Sequence, residues 1–279
     1  MSYQPLPLGL STAAFGRALT DTHFDALEAS PVVCVELVAP VPQCPLDDTE
    51  FLAWLKGRLS ASRVRLHSVH LAYGRHLDIS QPDETARAAA VAVAERNLVL
   101  AAQASARLAV VHPSAEPIAD EDRPAHLDAA RRSLERLAPI AAQLGVRLAV
   151  ECLPRSCLGH TATELAALVE PLDPAVVGVC IDVNHLNLRE PDIGAAVARL
   201  APRLLTLHCS DNDGLDERHW LPGAAGGVVD WPAFLGALHR AGYTGPFLYE
   251  VRPPDPDPPE ALRLIAANFV ERIAPLWPP

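Results

Sequence analysis

The chain has 279 residues, 49% hydrophobic and 20% charged, enough to bury a large core in an ordinary globular protein. Its 23 basic and 34 acidic residues leave a net charge of −11, which speaks against a polyanion partner. Lys56 is the only lysine and lies in the helical stretch FLAWLKGRL, so Schiff-base chemistry is set aside.

The opening MSYQPLPLGL has no basic n-region and no long apolar h-region, so no secretion signal is expected. Along the chain, short apolar runs then alternate with longer helical patterns. The runs are PLGLST, VVCVELV, RLHSVHLA, RLAVVHP, RLAVECL, VGVCIDVNH, LLTLHCSD and PFLYEVR. Near-continuous apolar strands are what a parallel sheet covered by helices requires. The helical stretch ARAAAVAVAERNLVLAAQASA is the most apolar, but Glu95, Arg96 and Asn97 interrupt it, so it reads as a packed helix and not a membrane span. Further helical patterns are DEDRPAHLDAARRSLERLAPIAAQLG and WPAFLGALHRAGY, and residues 253–279 read as a proline-rich loop plus a closing helix. Eight strand–helix units of about 35 residues fit a (β/α)₈ TIM barrel in one domain over residues 1–279, with an open doubly wound sheet as the alternative. The six cysteines form no C-x-x-C pair and four fall in predicted strands, so they read as apolar fillers in a reducing, cytoplasmic compartment.

In such a barrel the chemistry gathers at the C-terminal ends of the strands. Those ends carry Glu36, His70, His112, Glu151, Asp182 with His185, His208, and Glu250. The strand period of two groups Ala149 with Glu151, Cys180 with Asp182, and Leu204 with Thr206 and His208 on faces that point into the barrel. Singly, each residue has a bland reading: a histidine with its hydrogen bonds met, or a carboxylate capping a helix or pairing with Arg155, Arg218 or Arg252. Together, Glu151, Asp182 and Glu250 at one mouth repel one another unless protonated or neutralised by a cation. With His208 they make a nitrogen–oxygen donor set suited to zinc, manganese or cobalt.

At this point the sequence resembles the xylose-isomerase-like TIM barrels, a family of sugar isomerases, sugar and sugar-phosphate epimerases, inosose dehydratases and endonuclease IV type AP endonucleases. The resemblance runs roughly from Leu8 to Arg252, through HLAYGRHLDISQPDE, LAVVHP, LAVECLP, GVCIDVNH, LLTLHCSDNDG, RHWLPG, VVDW and LYEV in order. It implies one divalent metal, zinc or manganese before magnesium or cobalt, held by Glu151, Asp182, His208 and Glu250. It further implies that Glu151 and Glu250 face the two sides of the substrate carbon as the proton-transfer pair. His70, His112, His185, Arg218 and His219 are the implied substrate contacts. The nuclease branch maps as three zinc sites: His70 and His112 with a bridging Glu151; Asp182, His208 and Glu250; and His185 with His219. Glu217 stands where that branch uses an aspartate. Against it, CLPRSCLGH lacks that branch's small Asn/Ala/Gly turn, and no basic cluster awaits phosphates. The loop PGAAGGVVDW is longer than the family's Pro-Gly-x-Gly form. Phe15, Tyr73, Trp220 and Trp231 are pocket candidates ranked behind packing roles.

The expectation is therefore a divalent-metal-dependent isomerase or epimerase of a sugar, or of a sugar phosphate or inositol-type polyol ketone, moving a proton α to a carbonyl through an enediolate, or a dehydratase using the same enolate. Its partner is a small carbohydrate, with no nucleic acid or membrane and with self-association open. The alternatives are a zinc-dependent AP endonuclease and a non-catalytic metal-containing barrel.

Overall fold

A computed structural model describes residues 6–39, 44–254 and 257–278. Residues 1–5, within the stretch read for a secretion signal, and residues 255–256 of the proline-rich loop lie outside the described residues. Eight strands form one parallel sheet: β1 Leu8–Ser11, β2 Cys34–Val38, β3 Arg65–His70, β4 Leu108–Val111, β5 Arg147–Glu151, β6 Val177–Asp182, β7 Leu204–His208 and β8 Phe247–Tyr249. The strand order is β7-β6-β5-β4-β3-β2-β1-β8. Closure comes from Cys209, whose N–H donates to Leu248 O at 2.8 Å and whose carbonyl accepts from Glu250 N at 3.2 Å. The sheet is thus a TIM barrel, as the alternation of apolar runs and helical patterns predicts.

Helices α1 Asp21–Ala29, α2 Thr49–Ala61, α3 Glu84–Gln103, α4 Arg123–Leu144, α5 Ala162–Val169, α6 Val183–Asn187, α7 Ile193–Leu200, α8 Trp231–Arg240 and α9 Pro258–Asn268 surround it. Among the described residues that is one more than eight strand–helix units supply. The extra element is the short α6, started by Asp182, whose Oδ1 accepts from His185 N at 3.1 Å. Aspartates also cap α2, α3, α7 and α8, taking up backbone N–H groups that a helix start leaves unpaired. No helix of the described residues is long and apolar enough to cross a membrane.

The pleat divides the core in two. Leu148, Val150, Val179 and Ile181 face the helices, whereas Leu108, Val110, Ala149 and Cys180 meet inside the barrel. Ala149 and Cys180 lie two residues before Glu151 and Asp182, so the alternation that fills the interior also aims both acids into the mouth. The same count fails in β7. Between the pairs Val179↔Leu204 and Cys180↔Thr206 the register shifts, so Leu204 packs outward and Leu205 inward, correcting the grouping of Leu204 with Thr206. Leu205 fits because residue 178 is glycine: a Cβ there would lie 2.6 Å from Leu205 Cγ and against the Arg203 carbonyl. A matching bulge in β3 pairs Glu36 with Ser68 and leaves His67 as the extra residue. His67 Nε2 meets Thr206 Oγ1 across the interior at 2.9 Å. All six cysteines are buried and free.

Candidate active site

Strands β5 to β8 bring Glu151, Asp182, His208 and Glu250 together, with one donor atom of each within 4.8 Å of the others. Glu151, Asp182 and His208 are buried, and the Glu250 side chain is 15% exposed at the cavity floor. His208 Nδ1 lies 3.0 Å from Glu151 Oε1 and 3.0 Å from Glu250 Oε2, so the two glutamates flank one imidazole nitrogen. Its Nε2 faces Glu36, 3.0 Å from Oε1 and 3.2 Å from Oε2, and Ser68 Oγ donates to Glu36 Oε2 at 2.7 Å. Asp182 is divided in function: Oδ1 caps α6, and buried Oδ2 accepts no hydrogen bond among the described residues, with His185 Nδ1 3.4 Å away. A buried carboxylate oxygen without a hydrogen bond, in a set of three acids and a histidine, fits a divalent cation.

Charge in this pocket must be balanced by protons on the histidines or by a cation. Burial, with Glu250 and Glu151 nearby, pushes the Asp182 carboxyl up to about 6. Burial alone would also raise Glu151 and Glu250, but His208 beside both, with His112 at Glu151 and His219 at Glu250, holds them well below the carboxylate range. Burial would lower His70, yet its hydrogen bond to Glu151 takes it up to about 9.

A ring of histidines surrounds the four. His70 Nε2 and His112 Nε2 reach Glu151 Oε2 at 3.1 and 3.0 Å. His185 Nε2 lies 2.8 Å from Glu217 Oε2, and its ring stands edge-on to His219 with centroids 6.0 Å apart. His70, His112 and Glu151 form a second donor cluster, and His185, Glu217 and His219 a third. Arg155 enters that third cluster, its Nη2 lying 3.0 Å from Glu217 Oε1 while Nε donates to Glu116 and Nη1 to Asp216. Arg155 and His219 both adopt left-handed backbone, φ 52° and 49°, a strain that concentrates at the mouth.

A cavity of about 430 Å³ opens above these groups. Its wall includes His70, His112, Glu151, His185, His219 and Glu250 from the sequence expectation. It does not include the exposed Arg218, which turns to the half-buried Asp213 with Nε 2.7 Å from Oδ2; Arg155, Arg75 and Arg252 supply the cavity cations instead. Tyr73 also lines the wall, stacked on His112 at 4.3 Å. The other three aromatics lie outside it: Phe15 and Trp231 are packed in the core, and Trp220 pairs by its backbone with Asp211.

The glycine-rich loop after β7 is organised around Asp211. Buried Asp211 accepts from Gly223 N at 2.8 Å, from Val228 N and Val229 N at 3.1 Å, and from Trp231 Nε1 at 2.9 Å. Gly227 has to be glycine, because a Cβ there would lie 2.6 Å from the Asp211 carboxyl carbon. The loop is wrapped around its own anion.

Comparison with known proteins agrees with this architecture. The profile of a family described as xylose isomerase-like TIM barrel matches residues 24–268. A ketose 3-epimerase of Arthrobacter globiformis is 28% identical over 122 residues, 43% of this chain and 40% of that protein. Matches to curated relatives thus span only about two-fifths of their length. Among solved structures, an IOLI protein with a bound zinc atom superposes with a TM-score of 0.83 at 17% identity, covering 98% of this chain and 99% of that one. A D-tagatose 3-epimerase-like protein gives 0.81 at 21% identity, covering 95% and 97%. At such identities these two share the fold.

Proposed function

The chain belongs to the xylose isomerase-like TIM barrel family, and from that premise we propose that it is a divalent-metal-dependent isomerase or epimerase of a small carbohydrate, built as a single barrel domain. The observation that carries this reading is the convergence of Glu151 and Glu250 on His208 Nδ1, at 3.0 Å each, beneath a cavity of about 430 Å³. Glu151, Asp182, His208 and Glu250 would hold the metal, zinc or manganese before magnesium or cobalt. A bound metal supplies Lewis-acid polarisation of a carbonyl and its neighbouring hydroxyl. One glutamate removes the proton from the carbon between them, and the other returns a proton to the opposite face or the next carbon. His70 and His112 fix the plane of Glu151 through its Oε2, and Tyr73 offers an aromatic face to a sugar. The curated ketose 3-epimerase supports this class, and a structure described as D-tagatose 3-epimerase-like has the same fold.

The test is deuterium incorporation from D₂O into ketoses, read by NMR, alongside metal analysis. Glu151→Gln and Glu250→Gln should retain metal and lose exchange by ~10²–10⁴-fold, because an amide oxygen has almost no basicity. Asp182→Ala should lose the metal. Exchange persisting in the metal-loaded double glutamine variant would remove both residues from the reaction.

One observation favours a second reading, a three-metal phosphodiesterase acting on abasic DNA: all three donor clusters of that pattern come together. Arg155 weighs against it, since its guanidinium already neutralises Glu217 in the third cluster.

A further inference from the structure

Two arginines in the cavity wall have no carboxylate partner among the described residues. Arg75 starts the turn Arg75–Leu77 beyond β3, and Arg252 follows β8 with its backbone N–H held on the His219 carbonyl at 2.9 Å. Both line the cavity and both are exposed, and neither side chain makes an ion pair or hydrogen bond among the described residues. The contrast with Arg155 is chemical: that guanidinium is saturated by Glu116, Asp216 and Glu217, and it cancels two acids of the same wall. The rim therefore carries uncommitted positive charge in a chain whose net charge is −11.

The position where a barrel of this kind commonly seats a phosphate, the loops after strands seven and eight, is half closed. After β7, the amides of Gly223, Val228 and Val229 all point at Asp211, so that loop offers an incoming anion a carboxylate already in place. Arg252, after β8, and Arg75, after β3, remain open. A guanidinium presents paired donors that match the oxygens of a phosphate or carboxylate.

We infer that the cavity takes a keto sugar bearing a terminal anionic group, a phosphate or a carboxylate, seated by Arg75 and Arg252 while the carbonyl end faces Glu151 and Glu250. This rests on the isomerase reading and adds the substrate class to it.

Isothermal titration of the metal-loaded protein with D-fructose, D-fructose 6-phosphate and D-fructuronate tests it. One of the two anionic sugars should bind about tenfold or more tightly than fructose, the gain expected of charge-assisted hydrogen bonds. Which one does so identifies the group. In the Arg75→Gln, Arg252→Gln double variant the ratio of anionic to neutral affinity should fall toward one. The Arg218→Gln variant, altered outside the cavity, should keep the wild-type ratio. Fructose binding as tightly as both anionic sugars, no sugar binding at all, or a preference that survives the double variant would each overturn the inference. Failure of the isomerase reading looks different: the arginine-dependent preference is present, and none of the bound sugars exchanges deuterium.

Discussion

His208 is held from behind, and Glu36 does the holding. Nε2 faces Glu36, so with a metal at Glu151, Asp182 and Glu250 the imidazole would offer Nδ1 as the lone-pair nitrogen and keep its proton on Nε2 toward that carboxylate. A carboxylate behind a metal-binding histidine fixes its tautomer and raises its basicity, and losing one typically weakens metal affinity ~10–100-fold. Glu36→Gln preserves the shape but lowers the charge, so metal affinity should drop about tenfold, measured by chelator competition. Unchanged affinity would mean that Glu36 merely fills the interior. The acid itself was legible in the sequence as a strand end; its role was not. Ser68 stands beside it because β3 bulges at His67, and an inserted residue leaves no mark in a pattern of apolar alternation. Arg218 shows the same limit from the other side. Its position in the resemblance points to substrate, but the loop carrying it folds toward Asp213, and Arg155 reaches the cavity instead. Which of two loop arginines turns inward depends on acids brought from other strands, here Glu116 and Glu217.

The elements follow the sequence closely where burial sets the pattern and less closely where a single polar contact does. Eight apolar runs became eight strands, and the pleat of β5 and β6 delivers Glu151 and Asp182 to the mouth as their alternation requires. Helix α6 was not legible, because five residues are too few for a helical period; it exists through the Asp182 cap, and it returns His185 to the site. The loop from Asp211 to Trp231 depends likewise on one carboxylate. Asp211→Ala would leave the amides of Gly223 and Val229 and the Trp231 indole without their carboxylate, at about 1–3 kcal/mol for a buried donor left unsatisfied, while Val228 N–H keeps the Asn212 carbonyl at 3.0 Å. Some of them relax toward water, so the net loss should be ~3 kcal/mol, read as a lower urea midpoint at constant slope. Gly227→Ala should destabilise through the same contact, by pushing the loop off the carboxylate. A midpoint equal to wild type in both variants would mean that the loop is held elsewhere. Because β7 ends three residues before Asp211, loosening of this loop should also reach His208, with reduced metal affinity as its sign.

At the scale of the whole molecule, three acids converge at the centre of a closed barrel, which is costly unless something positive sits among them. A ligand that binds only the folded state stabilises it by ~4 kcal/mol at a thousandfold excess over its dissociation constant. For a chain of this size that corresponds to about 10 °C in unfolding temperature. Chelation should therefore lower the wild-type unfolding temperature by roughly that amount and leave Asp182→Ala unchanged, with scanning calorimetry as the measurement. Metal number then separates the two readings of the site. A three-metal phosphodiesterase needs cations at all three donor clusters and a basic surface to hold its duplex. The molecule as a whole carries a net charge of −11, and within it Arg155 lies 3.0 Å from Glu217, the one carboxylate of the third cluster. A metal entering there would have to displace or repel a guanidinium already bound to three acids. Elemental analysis of protein purified without chelator should accordingly find about one metal per chain, and a duplex with one abasic site should stay intact at moderate salt. Arg155→Gln makes the argument sharper. If the guanidinium is what keeps the third cluster empty, this variant should take up additional zinc in a titration followed by calorimetry, through His185, Glu217 and His219. Three metals in the wild type, with nicking beside the abasic site, would instead assign the barrel to phosphodiester hydrolysis and make His70, His112, Glu217 and His219 metal ligands.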